Sequence, residues 1–254
     1  MKAPVSVHPA IVCRGVGKSF YYYEHRTTSL REVFRRHLLR RPIHVRQTRF
    51  ALSGVSFEVE RGGSVALIGS NGSGKSTMLR LLAGIYQPTQ GEIEIEGRIG
   101  TVIELGAGFH PELTGIENIH LYAALLGLSR RQLAGRFPGI VEFSGIGDFI
   151  TMPVKYYSSG MQARLAFSVA VAVEPDVLLL DEVMAVGDQD FRERCLDRLH
   201  RFRARGGTLV LVSHDLDSLS DLCDRALWLE GGQVRMDGGL DEVIEAYRGS
   251  GPIS

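Results

Sequence analysis

The chain has 254 residues, and its 44% hydrophobic content is enough to bury one substantial core. Its 29 basic side chains balance its 29 acidic ones, so net charge gives no overall attraction to nucleic acid. Cys13, Cys195 and Cys223 lack the spacing of a metal site and predict reduced thiols. We see no signal peptide, and the longest apolar runs are shorter than the ~20 residues of a membrane span. We therefore expect a soluble chain, whose role at a membrane would come through a partner.

The first glycine motif along the chain is a decoy. Gly15-Val-Gly-Lys-Ser19 contains the letters GKS, but a phosphate-binding loop would need a glycine where Val12 stands. No apolar helix follows it; Phe20 and three tyrosines come next. We expect this motif to have no phosphate role.

Residues 24–49 are predicted to be a basic insertion within the core. From Arg26 to Arg49, eight arginines and two histidines accompany a single acid, Glu32, in a stretch of moderate helical character. One interpretation is a solvated helix with a basic face, the usual explanation of a charge run. The other is a surface that lies near anionic lipid headgroups or an anionic substrate. Both stay open at this point.

The next segment has the pattern of a phosphate-binding loop. Ser64–Ile68 predicts a buried strand, Gly69-Ser-Asn-Gly-Ser-Gly-Lys-Ser76 fits GxxxxGK[ST], and an apolar helix pattern follows from Thr77. The glycines permit a backbone whose N–H groups surround phosphate oxygens, and the helix N-terminus adds favourable partial charge. Lys75 is expected to reach the β- and γ-phosphates, and the Ser76 hydroxyl to bind Mg²⁺.

Residues 105–174 predict an inserted α-helical subdomain. Thr114-Gly-Ile-Glu117 is typical of a capping box, and it leads into a helix over Asn118–Leu126. Further helical patterns run over Arg131–Phe143 and Gly160–Val173.

Two carboxylates follow the next buried strand, Val177–Leu180. In α/β sheets ligands bind at the carboxyl ends of strands, so Asp181 is expected to hold Mg²⁺ there. Glu182 is expected to polarise the attacking water and accept its proton. His214 comes after a third apolar run, Thr208–Val212, at the same expected edge, where we expect it to contact a γ-phosphate.

These elements together predict an α/β fold, with a P-loop NTPase core around a mostly parallel sheet. The core is assigned to residues 1–104 and 175–254 of a single domain. Antiparallel elements are expected at 226–229 and 233–236, joined through Gly231-Gly232, before a closing helix over 240–247.

The segment Ser158-Ser-Gly-Met-Gln162, called here the signature segment, is similar to the LSGGQ signature of ABC transporter nucleotide-binding subunits. The resemblance covers nearly the whole chain. In that family two subunits enclose two ATP molecules, and each signature helix points its N-terminus at the γ-phosphate bound by the other subunit. We expect Ser159 to be the N-cap of this helix, and Ser159 with Gln162 to form an S-x-x-Q capping box. Met161 stands where the family has a second glycine.

Further variants resemble one subgroup of the family. Glu104 lies about where most members have the Q-loop glutamine, and Asp188 lies where the family has its D-loop aspartate. Asp181-Glu-Val-Met-Ala-Val-Gly-Asp188 lacks the common proline after the glutamate. With YSSGM beginning at Tyr157, these strings are similar to those of the ATPases that export bacterial surface polysaccharides, such as O-antigen, teichoic acid and capsule.

The resemblance implies a homodimeric ATPase that uses ATP and Mg²⁺. It would sit at the cytoplasmic face of the cell membrane, attached through a separate integral-membrane permease, and drive export of a lipid-linked polysaccharide, with no nucleic acid partner.

The adenine-stacking aromatic would be one of Phe20, Tyr21, Tyr22 and Tyr23, of which we take Phe20. The ATP-binding residues would be Gly69, Ser70, Asn71, Gly72, Ser73, Gly74, Lys75, Ser76 and Thr77. The signature residues acting in trans would be Ser158, Ser159, Gly160, Met161 and Gln162. The alternatives are an ABC ATPase of another transporter type, such as an importer, a regulatory module that binds ATP without hydrolysing it, or a non-transport ABC ATPase acting on nucleic acid or ribosomes.

Overall fold

The computed structural model of the protein describes residues 8–23, 46–103, 108–181, 188–213 and 215–250. Most of the predicted basic insertion, residues 24–45, lies outside these residues. The strands form two sheets, of three and of six strands.

The three-stranded sheet is antiparallel, with the order β2-β1-β4. Its strands are β1 (Pro9–Tyr23), β2 (Arg46–Glu60) and β4 (Gln90–Ile95). The decoy motif lies inside β1, where the Lys18 ammonium donates to the Gln87 carbonyl oxygen at 2.8 Å. The last four residues of the predicted insertion belong to β2, because Arg46 pairs with Tyr23 across the sheet.

The six-stranded sheet has the order β5-β6-β7-β3-β8-β9. Its strands are β3 (Ser64–Ile68), β5 (Ile99–Val102), β6 (Val177–Asp181), β7 (Thr208–Val212), β8 (Arg225–Glu230) and β9 (Gln233–Gly239). All neighbouring pairs are parallel except β8 with β9. The predicted strands are therefore confirmed, as is the antiparallel pair near the end of the chain. Parallel pairing brings the carboxyl ends of β3, β6 and β7 to one edge of the sheet.

The helices are α1 (Lys75–Leu82), α2 (Gly115–Leu125), α3 (Arg130–Ser144), α4 (Ser159–Ala172), α5 (Gln189–Ala204) and α6 (Leu240–Gly249). Short 3₁₀ turns lie at Gly147–Thr151, Val154–Tyr156 and Asp217–Leu219. The predicted helices of residues 105–174 correspond to α2, α3 and α4. The Thr114 capping box is confirmed: the Thr114 hydroxyl accepts from the Glu117 N–H at 3.2 Å, and the Glu117 carboxylate accepts from the Thr114 N–H at 2.8 Å. The boundaries of the helical subdomain stay a prediction.

The core lies on both faces of the larger sheet. Alternate residues of β3 point to opposite sides, so Ala66 and Ile68 join one hydrophobic cluster while Val65 and Leu67 join the other. Helices α2 to α6 pack into the first cluster, and α1 with β1 and β2 packs into the second. The result is the predicted α/β fold with a mostly parallel sheet, antiparallel elements and a helical segment. Among the described residues, no helix combines the length and the apolar character that crossing a membrane requires.

Candidate functional site

The phosphate loop, residues 69–76, connects β3 to α1 in a backbone conformation that requires glycine at two positions. Gly69 has a φ of 143° and Gly74 a φ of 111°, a region that residues with a Cβ rarely adopt. A Cβ at Gly69 would collide with the Leu229 carbonyl oxygen, and one at Gly74 would lie 2.6 Å from a methyl carbon of Leu52. Glycine at these positions therefore lets the loop lie tightly against β8 and β2.

The start of α1 has the features of an anion cradle. Its N-cap residue, Gly74, has no side chain to accept from the first N–H groups, and no acidic side chain lies in the first turn. These N–H groups are thus available to an anion at the positive end of the helix. The Ser73 hydroxyl is buried and has no hydrogen-bond partner among the described residues. The loop fits a phosphate chain.

Lys75 places a positive charge inside the loop. The residue is only 6% exposed, and its ammonium donates to the carbonyl oxygens of Gly69 at 2.6 Å and Ser70 at 3.0 Å. Burying an ammonium is costly unless hydrogen bonds compensate, and these carbonyl oxygens supply that compensation. The charge is therefore held where the glycine backbone curves around it.

A pocket of about 320 Å³ opens beside the loop. Phe20, Arg49 and Phe50 line it, together with residues of the phosphate loop and the start of α1. The Phe20 ring meets Tyr86 edge-on, with 5.4 Å between ring centroids, which fixes its orientation. Of the aromatic side chains from 20 to 23 that the structure describes, Phe20 lines this pocket and Tyr21 does not.

Asp181 lies at the same edge of the sheet as the loop. It is the last residue of β6 and pairs with Val212 of β7, while α1 packs against both strands. This arrangement brings the Asp181 carboxylate and the Ser76 hydroxyl to the side of the sheet where the phosphates would bind. Two hard oxygen donors of this kind suit Mg²⁺, which prefers oxygen ligands.

Glu104, Glu182 and His214 lie outside the described residues, so their expected roles stay predictions. The described neighbours of His214 are fixed at the end of β7. Ser213 is buried, and its hydroxyl accepts from the Asp215 N–H at 3.1 Å.

The signature segment begins α4, and the prediction that Ser159 is its N-cap is wrong. The helix starts at Ser159, and Ser158 is the N-cap: its hydroxyl accepts from the Met161 N–H at 3.2 Å. A capping box would need its glutamine at position 161, so Gln162 takes no part in one. Its amide instead donates to the Val154 carbonyl oxygen at 3.5 Å. Ser159 is thus exposed in the first turn of the helix, and none of residues 158–162 lines the pocket beside the phosphate loop.

Asp188 connects the signature helix to the next helix of the chain. Its carboxylate caps α5 by accepting from the Phe191 N–H at 2.9 Å, and it forms an ion pair with Arg164 of α4 at 2.9 Å. The Phe191 hydrogen bond, followed by the Arg164 and Arg194 charges, lowers the pKa of Asp188. The carboxylate therefore stays ionised at neutral pH and ties the start of α5 to α4.

Three residues at these sites were not singled out from the sequence. Arg49 and Phe50 enter the pocket because β2 pairs with β1 in a register that sets Phe20 opposite Arg49 and Ser19 opposite Phe50. The sequence does not give this cross-strand register, because residues 24–45 separate β1 from β2 along the chain. Arg164 lies two residues after the signature segment, and this position is the only feature of the sequence that indicates a role for it.

Comparison with known proteins places this architecture in a family. Residues 52–185 match the family model described as ABC transporter. The chain is 43% identical over 242 residues to the O-antigen export system ATP-binding protein RfbB of Klebsiella pneumoniae, covering 95% of this chain and 98% of that protein. It is 45% identical over 201 residues to the teichoic acids export ATP-binding protein TagH of Listeria monocytogenes serotype 4b, covering 79% of this chain and 60% of that protein.

The fold agrees with solved structures. A dimeric ATP-binding cassette in a post-hydrolysis state, bound to ADP and Pi, superimposes with a TM-score of 0.73 at 23% identity. The match covers 91% of this chain and 98% of that chain. Because the family model covers half of the sequence and the Klebsiella relative is matched over nearly its full length, this protein belongs to the ABC transporter family.

Proposed function

We propose that this chain is the ATP-hydrolysing motor subunit of an ABC exporter, and that it drives a lipid-linked cell-surface polysaccharide across the cytoplasmic membrane. The observation that carries the proposal is the 43% identity, over 98% of its length, to an ATP-binding protein of an O-antigen export system. The teichoic acid relative supports the same substrate class. Both are named as ATP-binding proteins of export systems, which favours export over import.

In the proposed ATPase site, the phosphate loop and Lys75 hold the triphosphate, and Phe20 stacks on the adenine. Ser76 and Asp181 would hold Mg²⁺, which neutralises charge on the β- and γ-phosphates when bound. Glu182 orients the attacking water and accepts its proton, and His214 contacts the γ-phosphate. The phosphate loop, Lys75 and Asp181 all lie at one edge of the larger sheet, and this placement supports the assignment.

The site is proposed to be completed by a second copy of the chain. In a homodimer, the start of α4 in one subunit would face the phosphate loop of the other, so that Ser159 and Gly160 meet the γ-phosphate. Two observations support this: the signature segment is absent from the pocket of its own subunit, and the start of α4 is exposed. Helix N-termini favour anions, which suits contact with phosphate.

The chain is proposed to work at the cytoplasmic face of the membrane, docked on a separate integral-membrane permease. Charge is balanced between 29 basic and 29 acidic residues, which gives no support to a nucleic acid partner. Copurification with a permease is the expected result, whereas copurification with DNA or ribosomes would favour a non-transport ATPase.

Genetic complementation tests the proposal directly. In a strain that lacks the gene, we expect lipid-linked glycan to accumulate inside the cell and surface glycan to disappear. Wild-type protein should restore export, whereas Lys75→Ala, which removes the phosphate-binding charge, should not, at equal protein levels. Normal surface glycan in the strain that lacks the gene would overturn the export assignment, and restored uptake of a nutrient would point to an importer.

A further inference from the structure

A second cavity, of about 230 Å³, lies between α3, α4 and α5 and shares no residue with the pocket beside the phosphate loop. It includes Glu174, which precedes β6. The cavity is therefore near the amino ends of the parallel strands, at the edge opposite the phosphate loop. Its apolar lining includes Ile140, Phe143 and Val171, and we call it the arginine pocket for Arg136 and Arg198, which also line it.

Both arginines of this pocket have unused hydrogen-bond donors. Arg136 donates through Nη2 to Glu174 at 2.8 Å, but its Nη1 is buried with no hydrogen-bond partner among the described residues. Arg198 is half-buried, and neither a hydrogen bond nor an ion pair joins it to any residue in the described part of the chain. Burial, and then the charge of Arg205, lower the pKa of Arg198. Partly desolvated guanidinium groups with unmet donors are costly unless an acceptor reaches them.

Glu174, the carboxylate that lines the arginine pocket, already forms two ion pairs. Glu174 bridges Arg136 at 2.8 Å and Arg205 at 3.3 Å, so three guanidinium groups face one carboxylate. Glu174 also has a φ of 51°, in the left-handed region where glycine or asparagine is less strained. The strained Glu174 holds Arg136 and Arg205 in place, and positive charge remains in excess around the pocket.

The apolar side of the pocket is kept open by two glycines one turn apart on α3. A Cβ at Gly135 or at Gly139 would meet no atom within 4 Å, because each faces open space. Glycine is a poor helix former, and here it leaves room beside the arginines. The recess therefore suits a ligand that carries an apolar group next to its charge.

We propose that the arginine pocket binds a small organic anion. A carboxylate or phosphate group would accept from Arg136 Nη1 and Arg198, and a short apolar substituent would lie over Gly135 and Gly139. Guanidinium groups bind both anions through their N–H donors, and both arginines line this pocket.

Phenylphosphonate combines these two features and serves as the probe. Binding is measured by isothermal titration with the full chain carrying Lys75→Ala, which weakens phosphate binding at the loop. A ligand of this size should bind with a Kd of about 1 mM. Arg198→Gln should weaken binding about tenfold or more, because a charged hydrogen bond is lost. No hydrogen bond or ion pair joins Arg198 to a described residue, so this change should leave the fold intact.

Arg201→Gln is the matched control, since Arg201 lies on the same helix but pairs with Asp197 and does not line the pocket. It should bind the probe like the parent. Gly139→Ala should raise the melting temperature, through better helix propensity, while it weakens binding by filling the recess. Equal affinity of the parent and Arg198→Gln, an equal loss in Arg201→Gln, or no saturable binding at about 10 mM would each overturn the proposal.

A lipid headgroup offers the same anion chemistry as a soluble compound. Because the recess is small and lies between three helices, the proposal commits to a soluble anion. Sedimentation with phosphatidylglycerol vesicles should then be equal for the parent and Arg198→Gln. Reduced vesicle binding by Arg198→Gln alone would overturn the choice of a soluble ligand.

Discussion

Single residues show how the protein handles charge and polarity in its interior. Lys75 keeps its ammonium in a nearly buried position because two loop carbonyl oxygens accept from it, at 2.6 and 3.0 Å. Those contacts hold the side chain against the backbone that would surround a phosphate. Asn118, fully buried, satisfies its amide in a similar way: the carbonyl oxygens of His110, Leu113 and Thr114 share its two N–H donors, which orders the chain before α2.

Glu182→Gln tests the proposed catalytic base. Glutamine has nearly the same shape but takes no proton from water, so ATP should still bind while turnover falls by about 10²–10³-fold. Phosphate release and binding of a fluorescent ATP analogue measure the two properties separately. Glu174→Gln, at a carboxylate far from the phosphate loop, is the control and should keep its turnover. Phosphate release from Glu182→Gln at the wild-type rate would refute the assignment.

The three cysteine thiols are predicted to be unreactive in the folded protein. Cys13, Cys195 and Cys223 are buried, and desolvation raises the pKa of each thiol to about 12. Because thiolate is the reactive form, at pH 8 only about one thiol in ten thousand would be ionised. A thiol-specific reagent should therefore label none of them in native buffer and all three in guanidinium chloride. Rapid labelling of any one without denaturant would contradict this.

At the scale of one element, the start of α4 is fixed by its cap. The chain enters with Ser158 in an extended conformation, at φ −65° and ψ 160°, and turns helical at Ser159. Tyr157, which is buried and donates to the Phe149 carbonyl oxygen at 2.7 Å, holds the residue before the cap. The helix therefore begins at Ser159, one residue earlier than an N-cap at Ser159 would allow, and the Ser159 side chain takes no part in capping.

Alanine substitutions separate capping from catalysis in this segment. Ser158→Ala should lower the free energy of unfolding by about 1 kcal/mol, because the Met161 N–H loses its acceptor. Ser159→Ala should change it by less than about 0.5 kcal/mol, as is usual for an exposed position. Denaturant unfolding measures both, with the wild-type slope as a check on two-state behaviour. A larger loss for Ser159→Ala than for Ser158→Ala would restore Ser159 as the cap.

On the scale of the whole molecule, the two halves of the proposed ATPase site lie apart in one chain. The phosphate loop and Asp181 share one edge of the larger sheet, whereas the signature segment begins a helix of the inserted region. The Arg164–Asp188 ion pair, at 2.9 Å, joins that helix to α5 and thus back to the core.

Dimerisation on ATP is the prediction at this scale. Glu182→Gln should form a dimer when ATP and Mg²⁺ are added, because unhydrolysed nucleotide bridges the two subunits. Ser159→Arg in the same background should keep the chain monomeric, since a long side chain would block the facing phosphate loop. Light scattering after size exclusion measures both. Lys75→Ala is the control: it should bind ATP weakly and therefore stay monomeric. An ATP-induced dimer of the Ser159→Arg double variant would exclude the proposed arrangement.

Much of the fold could be predicted because its information is local. Continuous apolar runs at 64–68, 177–180 and 208–212 indicated strands covered on both faces, and all three are strands of the parallel sheet. Thr114 with Glu117 specified a helix start through side chains three residues apart. The cap of α4 was misplaced because two serines stand side by side, and local pattern does not choose between them.

The sequence alone determined the phosphate loop, the carboxylate after β6 and the family resemblance, because each depends on residues close together in the chain. Only the tertiary structure decided which side chains meet across long separations. Strand register brought Arg49 and Phe50 to the nucleotide pocket, and helix packing joined Arg164 to Asp188. It also gathered Arg136, Glu174 and Arg198 around one recess. Contacts of this kind arise from the packing of whole elements, and no short stretch of sequence encodes them.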